Sequence, residues 1–180
     1  LGNAIEAGCD VILHGALIDD AALEGIAAKG LWYMPTLYIT SERARASHKW
    51  PAYMVEAMKA THPIHCAGVA KAHRMGIKLA AGTDGGPGSI MDEMRLLVDC
   101  GLSPMDAILT ATRHTADALG ILDTTGTLEQ GKRASLLAID GDPLRDITAL
   151  SRQDTISLVM KDGTIQPVGD FDPSRAPGRN

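Results

Sequence analysis

The stretch from Ile77 to Gly86, Ile-Lys-Leu-Ala-Ala-Gly-Thr-Asp-Gly-Gly, constrains the chain more than any other. It opens as an apolar run of strand length. It ends in a carboxylate, Asp84, followed by glycines that let the backbone turn away. Ser89-Ile90-Met91-Asp92 then reads as the start of a helix. A carboxylate at the C-terminal tip of a strand, just ahead of a helix, is where α/β barrels place their chemistry. A lone Gly-Thr-Asp serves equally well as a turn cap, so the rest of the chain has to decide.

The chain around it alternates. Val11-Ile12-Leu13 is a short β-prone run tipped by His14. Asp19 or Asp20 caps a helix over residues 21–29, closed by Gly30. Leu31 to Leu37 reads as a second strand, with Pro35 confined to its end or to a bulge. Ser41 to Gly76 has helical composition. Pro51 and Pro63 are expected to break it, giving helices over about 52–60 and 64–75. Ile77 to Ala81 is the third strand. Ser89 with Asp92 makes a capping-box-like start for a helix to Cys100, stopped by Gly101. Ser103-Pro104-Met105-Asp106 starts another that runs through Ala111, and Thr115 to Leu119 forms a last short one. Strand and helix repeated three times predict a parallel sheet with helical crossovers. Three such units fall well short of the eight of a closed barrel.

From Ile121 the pattern changes. Gly126 to Lys132 is turn-rich, Ala134 to Ile139 reads as a strand, and residues 156–161 and 164–166 flank an Asp162-Gly163 hairpin turn. The expected division is an α/β part over 1–120, a β module over 121–170 and a loose tail over 171–180.

Composition excludes some partners. The net charge is −5, with no basic run. That argues against nucleic acid or an anionic membrane surface. No segment reaches the roughly 18 to 20 apolar residues of a membrane helix. Cys9, Cys66 and Cys100 are odd in number and widely spaced, so buried free thiols are expected rather than a disulfide framework.

Two strand tips carry chemistry. In a parallel sheet His14 and Asp84 share an edge, and imidazole nitrogen and carboxylate oxygen are both good zinc ligands. Taken alone, His14 also fits a strand-end histidine satisfied by backbone hydrogen bonds. His62 and His65 are three apart and could face one way on a helix, but Pro63 is expected to spoil that geometry. His48, His73 and His114 read as solvated or capping side chains.

These motifs, in this order, resemble the amidohydrolase superfamily of metal-dependent hydrolases. The resemblance rests on Ile5 to Gly15, Ala81-Gly82-Thr83-Asp84, Gly101-Leu102-Ser103-Pro104, Ala111-Thr112 and Ala118-Leu119-Gly120. It extends through Gly126 to Lys132 and Asp140-Gly141-Asp142-Pro143, and is closest to the prolidase-like and imidazolonepropionase-like branch. It implies the last three βα units of a (β/α)8 TIM barrel followed by part of a small β-sandwich. It implies His14 as a metal ligand at the end of the sixth strand. Asp84 would be the eighth-strand aspartate that binds metal and takes a proton from the attacking water. Tyr38, Gly85 and Gly86 would lie at the substrate mouth. The implied cofactor is a divalent metal, zinc first, as one or two ions. The implied substrate is a small-molecule amide, cyclic amide, N-acyl amino acid or dipeptide.

The departures are as informative. The family's first-strand His-x-His, its fourth-strand lysine and its fifth-strand histidine are absent. Ser135 stands where the family usually has an aspartate. The expectation is the C-terminal part of an amidohydrolase, inactive without its N-terminal half. The competing expectation is a non-catalytic remnant or interaction module of the same fold. A cytoplasmic location is expected, with secretion or a periplasmic location left open, and a homo-oligomer is admitted.

Overall fold

The computed structural model describes residues 1–47, 50–86 and 88–167. The predicted tail and His48 lie outside the described residues. Three parallel strands, β1 (Val11–Leu13), β2 (Trp32–Met34) and β3 (Lys78–Leu79), form a sheet in the order β1-β2-β3. The register pairs Ile12 with Tyr33 and Tyr33 with Leu79. All three are buried, and Tyr33 in the central strand is fully so, as expected of a parallel strand covered on both faces.

Helix α1 (Gly2–Glu6) precedes β1, and α2 (Asp20–Lys29) crosses from β1 to β2. Asp19 caps α2 by accepting the Ala22 N–H at 2.9 Å, and Gly30 ends it at φ 63°. The second strand is shorter than the predicted Leu31–Leu37. Thr36 takes a left-handed φ of 58°, and Leu37–Thr40 forms a 3₁₀ turn. Helix α3 (Glu42–Ser47) follows.

Helix α4 (Ala52–Arg74) runs unbroken through Pro63, against the predicted break. Pro63 and Lys59, whose carbonyl lacks its usual donor four residues on, are both exposed, so water can satisfy that carbonyl. Helix α5 (Ile90–Asp99) follows the Asp84 loop. Its N-terminus is not the predicted capping box: Ser89 is already helical, and its hydroxyl donates to the Gly86 carbonyl at 2.6 Å instead. Ser103 caps α6 (Pro104–Leu109) as predicted, accepting the Asp106 N–H at 3.1 Å. The two predicted helices over 104–119 are one rod, in which a π turn (Thr110–His114) joins α6 to α7 (Thr115–Ala118).

Cys66 and Cys100 form a disulfide between α4 and the end of α5, with Cα atoms 5.2 Å apart; Cys9 is free and exposed. This corrects the expectation of free buried thiols. The residues are 34 apart in sequence, and only the packing of the two helices brings them together.

A second sheet is antiparallel: β4 (Leu136–Ile139), β5 (Ile156–Lys161) and β6 (Thr164–Gln166), in that order. Asp162 and Gly163 turn the hairpin at φ 49° and 81°, both left-handed as a tight primed turn requires. Ser135 Oγ accepts the Asp162 N–H at 3.1 Å. The residue that departs from the family's pattern therefore ties β4 to the hairpin tip. Ile147 and Leu150, between β4 and β5, join the same core as the parallel sheet, with Leu137 and Ile139 packed against it.

Candidate active site

The three parallel strands end on one edge, and each is followed by a non-glycine residue with left-handed backbone. His14 has φ 67°, Thr36 58° and Asp84 50°. Among the described residues the only other such position is Asp162 in the hairpin. This conformation costs roughly 1–3 kcal/mol for a residue with a side chain. It is least tolerated by a β-branched residue such as Thr36. Each such position turns the chain sharply beyond its strand, with the His14 and Asp84 side chains exposed and that of Thr36 buried.

His14 is held from two directions. Its N–H donates to the Met34 carbonyl at 2.9 Å, extending the β1–β2 ladder by one residue. Its ring Nδ1 lies 2.9 Å from the buried Thr36 Oγ1. That contact leaves Nε2 as the ring's remaining nitrogen. Behind it, Tyr33 OH donates to the Gly15 carbonyl at 3.3 Å. Burial, with Glu93 nearby, pushes the Tyr33 phenol well above its ordinary range, so it stays protonated.

Asp84 ends a loop pinned at several points. The Ala80 N–H donates to the Tyr33 carbonyl at 3.0 Å. The Ala81 N–H reaches the Thr110 carbonyl at 3.0 Å and Thr115 Oγ1 at 3.1 Å. A π turn displaces carbonyls from the regular helical pattern, and here Thr110 offers its own to the strand extension. Beyond Asp84, the Gly85 N–H donates to Thr83 Oγ1 at 3.1 Å.

His14 directly follows β1 and Asp84 lies in the loop after β3, so both come off the same edge of the sheet, with β2 between their strands. Both are exposed. Tyr38 lies in the 3₁₀ turn rather than directly after a strand, and it is buried. Its ring packs on Gly85, where a Cβ would come within 2.6 Å of it. Gly85 is required by that close approach. Gly86 faces open space and needs no such explanation.

In the layer beneath, sequence reasoning missed Glu93 and set aside His62 and His65 on an expected break at Pro63, whereas the unbroken helix turns both imidazoles toward Thr40. Glu93, on α5, is fully buried. Its Oε1 accepts the Leu37 N–H at 2.8 Å and its Oε2 the Tyr38 N–H at 2.7 Å. Burial pushes this carboxyl up to about 8, with the two amides pulling the other way. His65 and His62, both on α4, direct Nδ1 toward Thr40 Oγ1 at 3.3 and 2.9 Å. Burial lowers both, His65 to about 4, aided by its neighbours His62 and His14. The Nε2 of His65 is buried with no hydrogen-bond partner among the described residues. A signal for both residues was present in the sequence. Glu93 falls on the apolar stripe with Leu97 and Cys100, and His65 on that with Val69 and Ala72. A polar group on an apolar helix face is the informative exception.

The donor chemistry of His14 and Asp84 suits a divalent cation of the zinc type, and the Thr36 contact gives the imidazole the second partner that metal-ligating histidines usually have. Among the described residues no group of three or more His, Cys, Asp or Glu side chains is placed to hold an ion. By donor type alone, one imidazole and one carboxylate are an incomplete ligand set for such an ion.

Ochratoxinase from Aspergillus niger is 28% identical over 173 residues, covering 90% of this chain and 35% of that protein. Imidazolonepropionase from Mesorhizobium japonicum is 41% identical over 73 residues, covering 37% of this chain and 18% of that protein. A crystal structure of a Xaa-Pro dipeptidase with bound methionine in its active site superposes with a TM-score of 0.79 at 32% identity, covering 92% of this chain and 41% of that one. The chain therefore spans only about a third of the length of ochratoxinase. The amidohydrolase family profile matches residues 2–165, from α1 into β6 and through all three strand tips. With the α/β architecture and the profile in agreement over most of its length, the chain belongs to the amidohydrolase family.

Proposed function

We propose that this chain is the C-terminal part of a metal-dependent amidohydrolase that cleaves an amide or cyclic amide C–N bond. The observation that carries the reading is the row of left-handed residues, His14, Thr36 and Asp84, at three adjacent strand tips. Backbone strain of this kind persists where surrounding structure holds it in place, and it clusters at active sites. The substrate class, a dipeptide, N-acyl amino acid or small amide, follows from the kinds of protein the chain is similar to.

His14 would hold a divalent cation through Nε2, with Thr36 fixing the ring, and Asp84 would hold it through its carboxylate. When bound, the cation supplies a Lewis acid that polarises the scissile carbonyl and makes water acidic enough to attack near neutral pH. Asp84 would accept a proton from the attacking water on a carboxylate oxygen. Tyr38 and Gly85 shape one wall of the mouth, with Gly86 beyond them.

The rest of the barrel would come from a preceding N-terminal half. Three strands cannot close a barrel, and apolar side chains are left at the β1 edge: Leu13 is 49% exposed and Leu17 68%. Residues 1–120 would be the barrel's last units and 121–170 part of the adjoining β-sandwich. The Cys66–Cys100 disulfide weighs toward an oxidising compartment over the cytoplasm. No helix among the described residues is long and apolar enough to cross a membrane.

The test is metal analysis and assay of the protein with its N-terminal half supplied, against dipeptides, N-acyl amino acids and cyclic amides. Stoichiometric metal and turnover are expected there and not from the 180-residue chain. Turnover by the isolated chain, or a complete protein that binds no metal, would sink the reading and favour a non-catalytic module.

A further inference from the structure

We propose that Glu93 is a positioning residue: by gripping the main chain after β2 it fixes both the Thr36 bend behind His14 and the Tyr38 wall beside Asp84. The inference rests on the reading of this edge as the active site. It concerns a fully buried residue beneath the exposed His14 and Asp84.

Three observations converge on it. The first amides of a helical turn have no partner within the turn. Here those of Leu37 and Tyr38 are taken up by the two oxygens of one buried carboxyl, at 2.8 and 2.7 Å, from a helix more than fifty residues later in the chain. Directly before Leu37 stands Thr36, buried and at φ 58°. A strained β-branched residue needs its neighbours held, and Glu93 holds the next two amides in the chain. Thr36 Oγ1 is in turn the partner of His14 Nδ1. On the other side, the ring of Tyr38 lies against Gly85, immediately after Asp84. One carboxyl therefore connects to both rim residues, through Thr36 to His14 and through Tyr38 to Asp84. A fully buried carboxyl is costly to keep, and an apolar side chain of similar size would fill the space. What an apolar side chain lacks is two acceptors at the spacing of two consecutive amides.

The experiment uses the complete protein with Glu93→Gln and Glu93→Asp. Glutamine keeps the shape but offers one acceptor and turns an N–H₂ toward the other amide. Aspartate keeps both acceptors, one methylene short. In E93Q the Leu37 and Tyr38 amides should exchange with solvent about tenfold faster or more, while those of β1 and α2 keep their protection. kcat/KM should fall about 10²-fold, the scale expected when reacting groups shift by about 1 Å. E93D should lie between E93Q and the unaltered protein on both readouts, and it carries the test if E93Q does not fold. Gly85→Ala, which displaces Tyr38 from the opposite side, should lower kcat/KM while leaving the Leu37 amide protected. Wild-type protection of both amides in the folded variants, or unchanged kcat/KM despite fast exchange, overturns the positioning role. Amide exchange needs no substrate, so a protein that hydrolyses nothing refutes the proposed function separately from the grip itself.

Discussion

The Nδ1 of His14 lies 2.9 Å from the Oγ1 of Thr36, and both residues hold left-handed backbone at neighbouring strand tips. The hydroxyl orients the ring and leaves Nε2 for the rim. Thr36→Val keeps the shape and the β-branch but removes the partner. In the complete protein it should weaken metal affinity about 10- to 100-fold and lower stability by about 1 kcal/mol. Metal titration alongside thermal unfolding checks both. Unchanged affinity would detach Thr36 from the site.

Asp84 sits exposed in the loop after β3. Asp84→Asn in the complete protein should therefore leave the unfolding midpoint almost unmoved. It should abolish turnover, because an amide cannot take the proton of the attacking water. Steady-state assay beside calorimetry separates these effects, and full activity in the variant would remove Asp84 from its assigned role.

His65 gives a pH dependence. Burial lowers it from 6.5 to about 4 in the folded chain. Between those values the unfolded chain binds a proton that the folded chain does not, so folding stability falls as pH drops from about 6.5 to 4 and levels off below. The loss is on the order of 3 kcal/mol by that linkage. Glu93 slopes the other way: its raised value favours the folded state at low pH and costs stability as pH rises toward 8. The informative quantity is thus the difference between the unaltered protein and His65→Gln, measured by denaturant unfolding from pH 7 to 4. That difference should shrink steadily as pH falls; a constant difference would count against a neutral buried imidazole.

The disulfide makes a prediction independent of activity. Thiol counting on the denatured, unreduced protein should find one free cysteine in this region, Cys9. Replacing Cys66 and Cys100 together by alanine should cost about 3–4 kcal/mol, the loop-closure term for cysteines 34 apart. Three free thiols in protein isolated without reductant would contradict the cross-link.

The features legible in the sequence are those whose cause lies within a few residues. Asp19 and Ser103 cap helices because a short polar side chain meets an amide three residues on. Asp162-Gly163 turns a hairpin because those residues accept left-handed backbone. Val11–Leu13 and Ile77 onward are β-prone runs ending at His14 and in Gly-Thr-Asp, so the candidate rim residues and the parallel order of their strands could be expected. What tertiary structure decided joins distant parts of the chain. Pro63 stays within one helix because the Lys59 carbonyl it leaves without a donor is on an exposed face. Cys66 meets Cys100 only once α4 and α5 are packed. Thr36 bends because Glu93, more than fifty residues away, holds the amides that follow it. Local propensity fixes which backbone shapes are cheap, while a strained bend or a buried carboxyl survives only where packing supplies its partners.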